Sequence, residues 1–185
     1  KTQSISTNWL TSIGNTIIAR MQKDLFSAMR RNLIRGYLNT YNSADRAGLL
    51  AARIHDDFSK YSADHTTRII QNILAALRRY NIDSMSPDDR IMTVQSIFDA
   101  LSYRLDFTWD NDVRKAYNFG MLAAMLESGV TVAKLAVAVD INACDRCKVN
   151  NGMQIDLRNL TLDSIIPHHP HCQCYIDFDK EDSIG

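Results

Sequence analysis

Apolar positions along the first two thirds of the chain recur at steps of three and four. Leu10, Ile13, Ile17, Met21 and Leu25 fall on one face of a helix, with Thr7 or Asn8 as its cap and Gly36 and the polar Asn39–Ser43 stretch as its end. Leu50, Ile54, Phe58 and Tyr61 predict a second amphipathic helix, capped by Ser43. Ile70, Ile73, Leu77 and Tyr80 predict a third, closed by a turn over Asn81–Ser84. The sharpest start signal is Ser86-Pro87-Asp88-Asp89: a capping hydroxyl, a proline at the first helical position and two acids in the first turn. Ile91, Val94, Phe98, Leu101 and Leu105 follow on one face of this fourth helix. A new cap at Thr108 or Asp110 predicts a fifth, running through Val113, Tyr117, Met121 and Ala124 and stopped by Gly129 in a left-handed conformation. Each stripe is accounted for by helix packing.

The pattern changes after Gly129. Val132–Val139 is apolar apart from Lys134, and its valines favour a strand over the helix extension that Ala133, Ala136 and Ala138 would allow. An Asn150-Asn151-Gly152 turn leads into a second short strand over Gly152–Leu157, and Cys174–Phe178 reads as a third. The expected fold class is therefore α+β: a mainly helical N-terminal region followed by a small β-hairpin or sheet module. The expected division is residues 1–110 as a helical region and 111–185 as a domain ending in that module.

Composition narrows the class. With 185 residues, 45% hydrophobic and 23% charged, the chain reads as globular rather than disordered. Lys+Arg and Asp+Glu both number 21, so net charge does not select a partner. Its distribution is uneven: Lys1, Arg20, Lys23, Arg30, Arg31 and Arg35 face a single Asp24 in residues 1–40, while Asp177, Asp179, Glu181 and Asp182 crowd the C-terminus. The basic segment is either a solvated helix face or a surface for phosphate or an acidic protein. The longest uninterrupted apolar run, Met121–Leu126, is far short of the ~20 residues that span a bilayer, so no membrane role is expected. Residues 1–15 lack the order of a signal peptide, and a chain opening on Lys1 reads as a processed or partial product.

The chemistry is concentrated late. All four cysteines follow residue 143, as Cys144-Asp145-Arg146-Cys147 and, further on, His169-Pro170-His171-Cys172-Gln173-Cys174. A C-x-x-C turn lets two thiolates converge on one tetrahedral ion, and a second half from a distant loop closes the shell. Met153–Leu162 is expected to supply a short hairpin between the halves. Cys144, Cys147, His169, Cys172 and Cys174 are five candidate ligands for four places. A set of three cysteines with His169 and a set of four cysteines both remain open, with structural zinc as the expected ion. His168 and His171 read as loop residues. A redox C-x-x-C would normally accompany a βαβ pattern, and a zinc deaminase needs an upstream H-x-E; neither is present. No G-x-S-x-G or phosphate-binding glycine loop occurs, and the acids near the cluster show no catalytic spacing, so a non-enzymatic role is expected. A sheet module of this size is marginal without a staple, which a structural ion provides.

The order of these features carries a resemblance. Ala116-Tyr117-Asn118-Phe119-Gly120, then Glu127-Ser128-Gly129-Val130, the C-x-x-C, Asn151-Gly152 and the closing His169-Pro170-His171-Cys172-Gln173-Cys174 resemble the head-morphogenesis domain of tailed bacteriophages, the phage Mu F-like minor head proteins. Gln173 stands where that family usually has a basic residue. The resemblance covers roughly residues 111–176 and implies a minor capsid component of the phage head. Such a component acts near the portal, meets the portal protein or the major capsid protein, and is found in the virion and, during assembly, in the host cytoplasm. The basic N-terminal helix would then be able to meet packaged DNA. The alternative is a zinc-containing nucleic-acid-binding module.

Overall fold

The structure is a computed structural model and describes residues 7–80, 82–137, 143–169 and 172–177. It is mainly helical, with a small three-stranded antiparallel sheet on the C-terminal side. Four long helices come first: α1 (Thr7–Thr40), α2 (Ala44–Arg53), α3 (His55–Arg79) and α4 (Pro87–Glu127). The strands β1 (Val132–Val137), β2 (Gln154–Asp156) and β3 (Cys174–Asp177) follow, with a short helix α5 (Asp145–Val149) between β1 and β2. Among the described residues no helix is long and apolar enough to cross a membrane.

The expected caps hold where their chemistry is explicit. The Ser43 side chain accepts from the Arg46 N–H at the start of α2. The Ser86 hydroxyl accepts from the Asp89 N–H at 3.2 Å and donates to the Asp89 carboxylate at 2.6 Å, ahead of Pro87. At the far end of α4, Gly129 has φ +96°; Gly129 N–H donates to Leu126 O and Val130 N–H to Met125 O, which is the Schellman closure.

Helix boundaries between these caps differ from the periodicity. Gly36 does not end α1, which continues to Thr40. The second and third expected helices are divided differently: the chain bends at Ile54 (φ −98°, ψ 12°), and Phe58, Tyr61, Ile70, Ile73 and Leu77 all lie on α3. No new helix opens at Thr108 or Asp110; α4 runs unbroken because neither residue interrupts the backbone ladder and no proline or glycine intervenes before Gly120. Ile91 is 64% exposed, and Ile97 takes the core position on that helix. Of the three expected strands, residues 138, 139 and 178 lie outside the described residues.

The chain divides into two compact units. One comprises Lys1–Ser27 and Asp56–Trp109; its core is Ile70, Ile73, Leu77 and Ile97, with Ile17, Ile18, Met21, Leu74 and Val94 packed against it. The other comprises Ala28–His55 and Asp110–Gly185, and it contains the sheet.

In the sheet-bearing unit, Met29, Leu33 and Tyr37 form a fully buried stripe on α1, and Ala116, Phe119, Leu122 and Ala123 are buried on α4. The two helices meet at glycines. A Cβ on Gly120 would collide with the Leu33 carbonyl, and one on Gly36 with the Tyr117 carbonyl, so each glycine admits the other helix's backbone. Polar bonds surround the contact: Tyr37 OH donates to Glu127 Oε2 at 2.5 Å, Arg46 pairs with the same oxygen at 3.3 Å, and Asn39 Nδ2 donates to Tyr117 OH at 3.0 Å. Burial, then the bond to Glu127, pushes the Tyr37 hydroxyl up to about 12.

The strand order is β2-β1-β3. Ala133, Leu135, Ile155, Cys174 and Ile176 are buried, while Val132, Lys134, Gln154, Tyr175 and Asp177 alternate outward. Met153–Leu162 forms no hairpin of its own. It supplies β2, which pairs with β1, and then a 3-10 turn over Leu157–Asn159.

Candidate metal centre

Sheet register brings the two halves of the cluster together. Val137, the last residue of β1, pairs with Cys174, the first of β3. The chain therefore leaves β1 towards Cys144 at the same edge where it enters β3 from Cys172. Cys144 is extended (φ −68°, ψ 163°) and caps α5, and its carbonyl accepts from the Lys148 N–H at 3.0 Å. One turn of α5 then carries Cys147 to the same face, three residues on. Cys144 is exposed and Cys147 fully buried. After α5, Gly152 (φ +80°) makes the turn that only glycine takes without strain, and its N–H donates to Leu135 O at 2.7 Å. Asn151 Oδ1 accepts from the Val137 N–H at 3.1 Å, fixing the C-x-x-C segment to the end of β1.

The second half is held by α4. Asn118 Nδ2 donates to Ile166 O at 2.9 Å and Lys115 Nζ to Leu162 O at 3.2 Å, on either side of the buried Ile165. Thr161 and Ser164 close the 3-10 turn at Leu162–Ser164 with a reciprocal capping box. His169 follows, and its carbonyl accepts from the Cys172 N–H at 3.2 Å. Burial lowers the pKa of Lys115, against the opposing fields of Asp112, Asp163 and Cys172.

The five predicted donors fall into two compact groups that share Cys147. His169 Nε2 lies 3.2 Å from Cys147 Sγ and 3.4 Å from Cys144 Sγ, and Cys147 Sγ lies 3.9 Å from Cys172 Sγ. Cys144, Cys147 and His169 form one triple with ligand atoms within 4.8 Å of one another, and Cys147, Cys172 and Cys174 form a second. Cys147 belongs to both. Metal–sulfur bonds of ~2.3 Å and metal–nitrogen bonds of ~2.0–2.1 Å give tetrahedral edges of about 3.8 Å between sulfurs and about 3.5 Å between sulfur and nitrogen. The observed separations lie within a few tenths of an ångström of those edges. Each group is thus able to bind a metal ion, Cys144, Cys147 and His169 forming one and Cys147 with the Cys172/Cys174 pair the other.

Hydrogen bonding and burial complete the environment. The Gln173 N–H donates to Cys147 Sγ at 3.4 Å, the kind of bond that stabilises a ligating thiolate. Cys172 and Cys174 are each 3% exposed. Burial, then the neighbouring Cys172 and Cys147, pushes the Cys174 thiol up to about 12. Its packing thus disfavours the ionised form of Cys174, and a bound cation would reverse that preference.

His168 is exposed and belongs to neither triple, and His171 lies outside the described residues. Two contributors were not foreseen. Asn118 was singled out only within the Ala116–Gly120 motif of the resemblance, since nothing in its local sequence points to a carbonyl 48 positions away. The Gln173 amide has no side-chain signature at all. No family model, curated protein or solved structure matches the chain.

Proposed function

We propose that the chain is a non-catalytic minor capsid protein of a tailed bacteriophage head, acting near the portal in head assembly and in DNA packaging or ejection. The observation that carries this reading is the grouping of Cys144 and Cys147 with His169, Cys172 and Cys174 at one end of a three-stranded sheet, after a helix that runs to Glu127 and is followed by Ser128-Gly129-Val130. That supports the resemblance drawn from residue order, because residues that are distant in the chain are brought together.

In this reading the ion is zinc. Three thiolates with an imidazole, or four thiolates, suit its borderline softness and tetrahedral preference. The ion acts as a staple. It joins the α5 segment to the start of β3 in a module whose strands are only three to six residues long, so its binding energy becomes folding energy. The stapled module is a rigid docking knob for the portal or the major capsid protein.

The test pairs two measurements on the purified chain and a Cys144→Ser, Cys147→Ser variant: zinc per chain by elemental analysis, and capture of the chain by assembled portal protein. One zinc per chain and portal capture, both lost in the variant, is the expected result. Zinc without capture by portal or capsid protein refutes the phage-head reading.

A nucleic-acid-binding role has one observation in its favour: Arg30, Arg31 and Arg35 are exposed on α1. That reading requires duplex DNA binding that weakens steeply as salt rises and falls when these arginines are replaced by glutamine.

A further inference from the structure

A tetrahedral ion uses four donors, and five candidate donors lie here in two groups that share Cys147. Three of them, Cys147, Cys172 and Cys174, are thiols buried together with their sulfurs within 4.8 Å of one another. A purely structural site needs no surplus thiol. A buried thiol beside ligand thiolates gives the centre a second chemistry, the exchange of a metal for a disulfide. The fourth cysteine supplies an entrance: Cys144 is exposed, and its sulfur lies within 4.8 Å of Cys147.

We propose that the centre is also a thiol-oxidation site, where a hydroperoxide replaces the metal staple with a Cys147–Cys172 disulfide. This rests on the reading of the ion as a staple. Cys144 is the point of attack because it alone is exposed. Its thiolate attacks the hydroperoxide, the O–O bond breaks, the sulfur becomes a sulfenic acid, and the other oxygen leaves as an alcohol, or as water when the oxidant is hydrogen peroxide. The Cys147 thiolate then attacks the sulfenic sulfur, forming the Cys144–Cys147 disulfide while the hydroxyl leaves as water. Having lost two thiolate donors, the metal dissociates as its aqua ion. Cys172 is 3.9 Å from Cys147 and next attacks the Cys147 sulfur. Cys144 leaves as a thiolate stabilised by solvent. The balance is two thiols and one hydroperoxide giving one disulfide, one alcohol or water, and one further water.

The final disulfide spans the same elements as the metal. It ties α5 to the residue two places before β3 across a separation of 25 residues, whereas a Cys144–Cys147 bond would only close one helical turn. Longer loops remove more freedom from the unfolded chain, so the exchange runs towards the bond that holds the module together. The module would then stay folded on moving from a reducing to an oxidising environment, where the metal is lost.

The experiment treats the full chain, zinc-loaded and metal-stripped in parallel, with hydrogen peroxide. Three things are read: released zinc, disulfide linkage by peptide mapping under non-reducing conditions, and hydrogen-exchange protection of the sheet segments carrying Leu135, Ile155 and Ile176. The expected result is loss of zinc, a stable Cys147–Cys172 linkage and retained protection in the sheet. Cys174→Ser should give the same linkage, and Cys144→Ser should form it several-fold more slowly. A stable Cys144–Cys147 linkage, over-oxidised Cys144 as the end product, or loss of sheet protection together with the zinc overturns the proposal. The parallel arms separate the two readings. A chain that never binds zinc removes the staple reading and, with it, the exchange of metal for disulfide, whichever linkage forms. A chain that releases zinc without forming Cys147–Cys172 keeps the staple and removes the oxidation site.

Discussion

Replacing Gly120 with alanine puts a methyl group against the backbone of α1. The added carbon would strike the Leu33 carbonyl oxygen and lie 2.9 Å from both the Leu33 carbonyl carbon and the Tyr37 nitrogen. Carbon atoms sit comfortably at about 3.5–4.0 Å, so the helices must separate by at least roughly 0.6 Å. No flexible side chain is able to yield, because every one of these neighbours is backbone. Overpacking of this kind costs roughly 1–3 kcal/mol, and an all-backbone contact belongs at the upper end. Alanine recovers about 1 kcal/mol of helix propensity over glycine. The expected net loss is therefore about 2 kcal/mol, or a fall in melting temperature of about 4–8 °C for a chain of this size.

Gly48 is the matched control. It lies inside α2, and a methyl group added there would meet nothing within 4 Å, so Gly48→Ala should stabilise the protein by roughly 0.5–1 kcal/mol. Urea unfolding followed by circular dichroism, with the metal content of each variant measured alongside, reads both. The same substitution should move stability in opposite directions. Affinity for an added metal ion should fall only for Gly120→Ala, because the same helix carries Asn118 and Lys115, which hold the loop leading to His169. A Gly120→Ala protein as stable as the parent would refute the close-contact argument, as would an equal loss from Gly48→Ala.

Cys147 is shared by both donor triples, so Cys147→Ser should abolish stoichiometric metal binding and unfold the β1–β3 module, while Cys174→Ser leaves four donors and should retain the ion; elemental analysis and hydrogen exchange distinguish them. Asn118→Ala should destabilise the module by about 1 kcal/mol and speed zinc loss to a chelator, since it strips a hydrogen bond from the Ile166 carbonyl. Ser43→Ala should cost about 1 kcal/mol through the lost α2 cap, with no change in metal content. The folded state raises the Tyr37 pKa from 10.0 to about 12, so its contribution is complete below pH 10 and is lost as pH rises towards 12. Tyr37→Phe should therefore flatten the alkaline limb of the stability profile relative to the parent.

The Cys and His residues of the candidate metal groups, the α+β order and the chemically explicit caps were legible in the residues themselves. Thiol and imidazole types at close spacing specify coordination whatever surrounds them, and Ser43, Ser86-Pro87 and Gly129 act on neighbours within a few positions. The helix that carries Leu10 to Leu25 likewise needed only helical periodicity. Helix division was not legible. Thr108 and Asp110 are good caps by type, yet α4 passes through them, because a capping residue permits an end without imposing one. Gly36 reads as a stop along the chain and is a contact across it, since its missing side chain answers to the backbone of α4. Only tertiary structure brought the two halves of the cluster together. The pairing of Val137 with Cys174 closes the edge, and Asn118 and the Gln173 amide supply bonds that no local pattern encodes. Short-range chemistry fixes which atoms are able to bind; register and helix packing fix which of them meet.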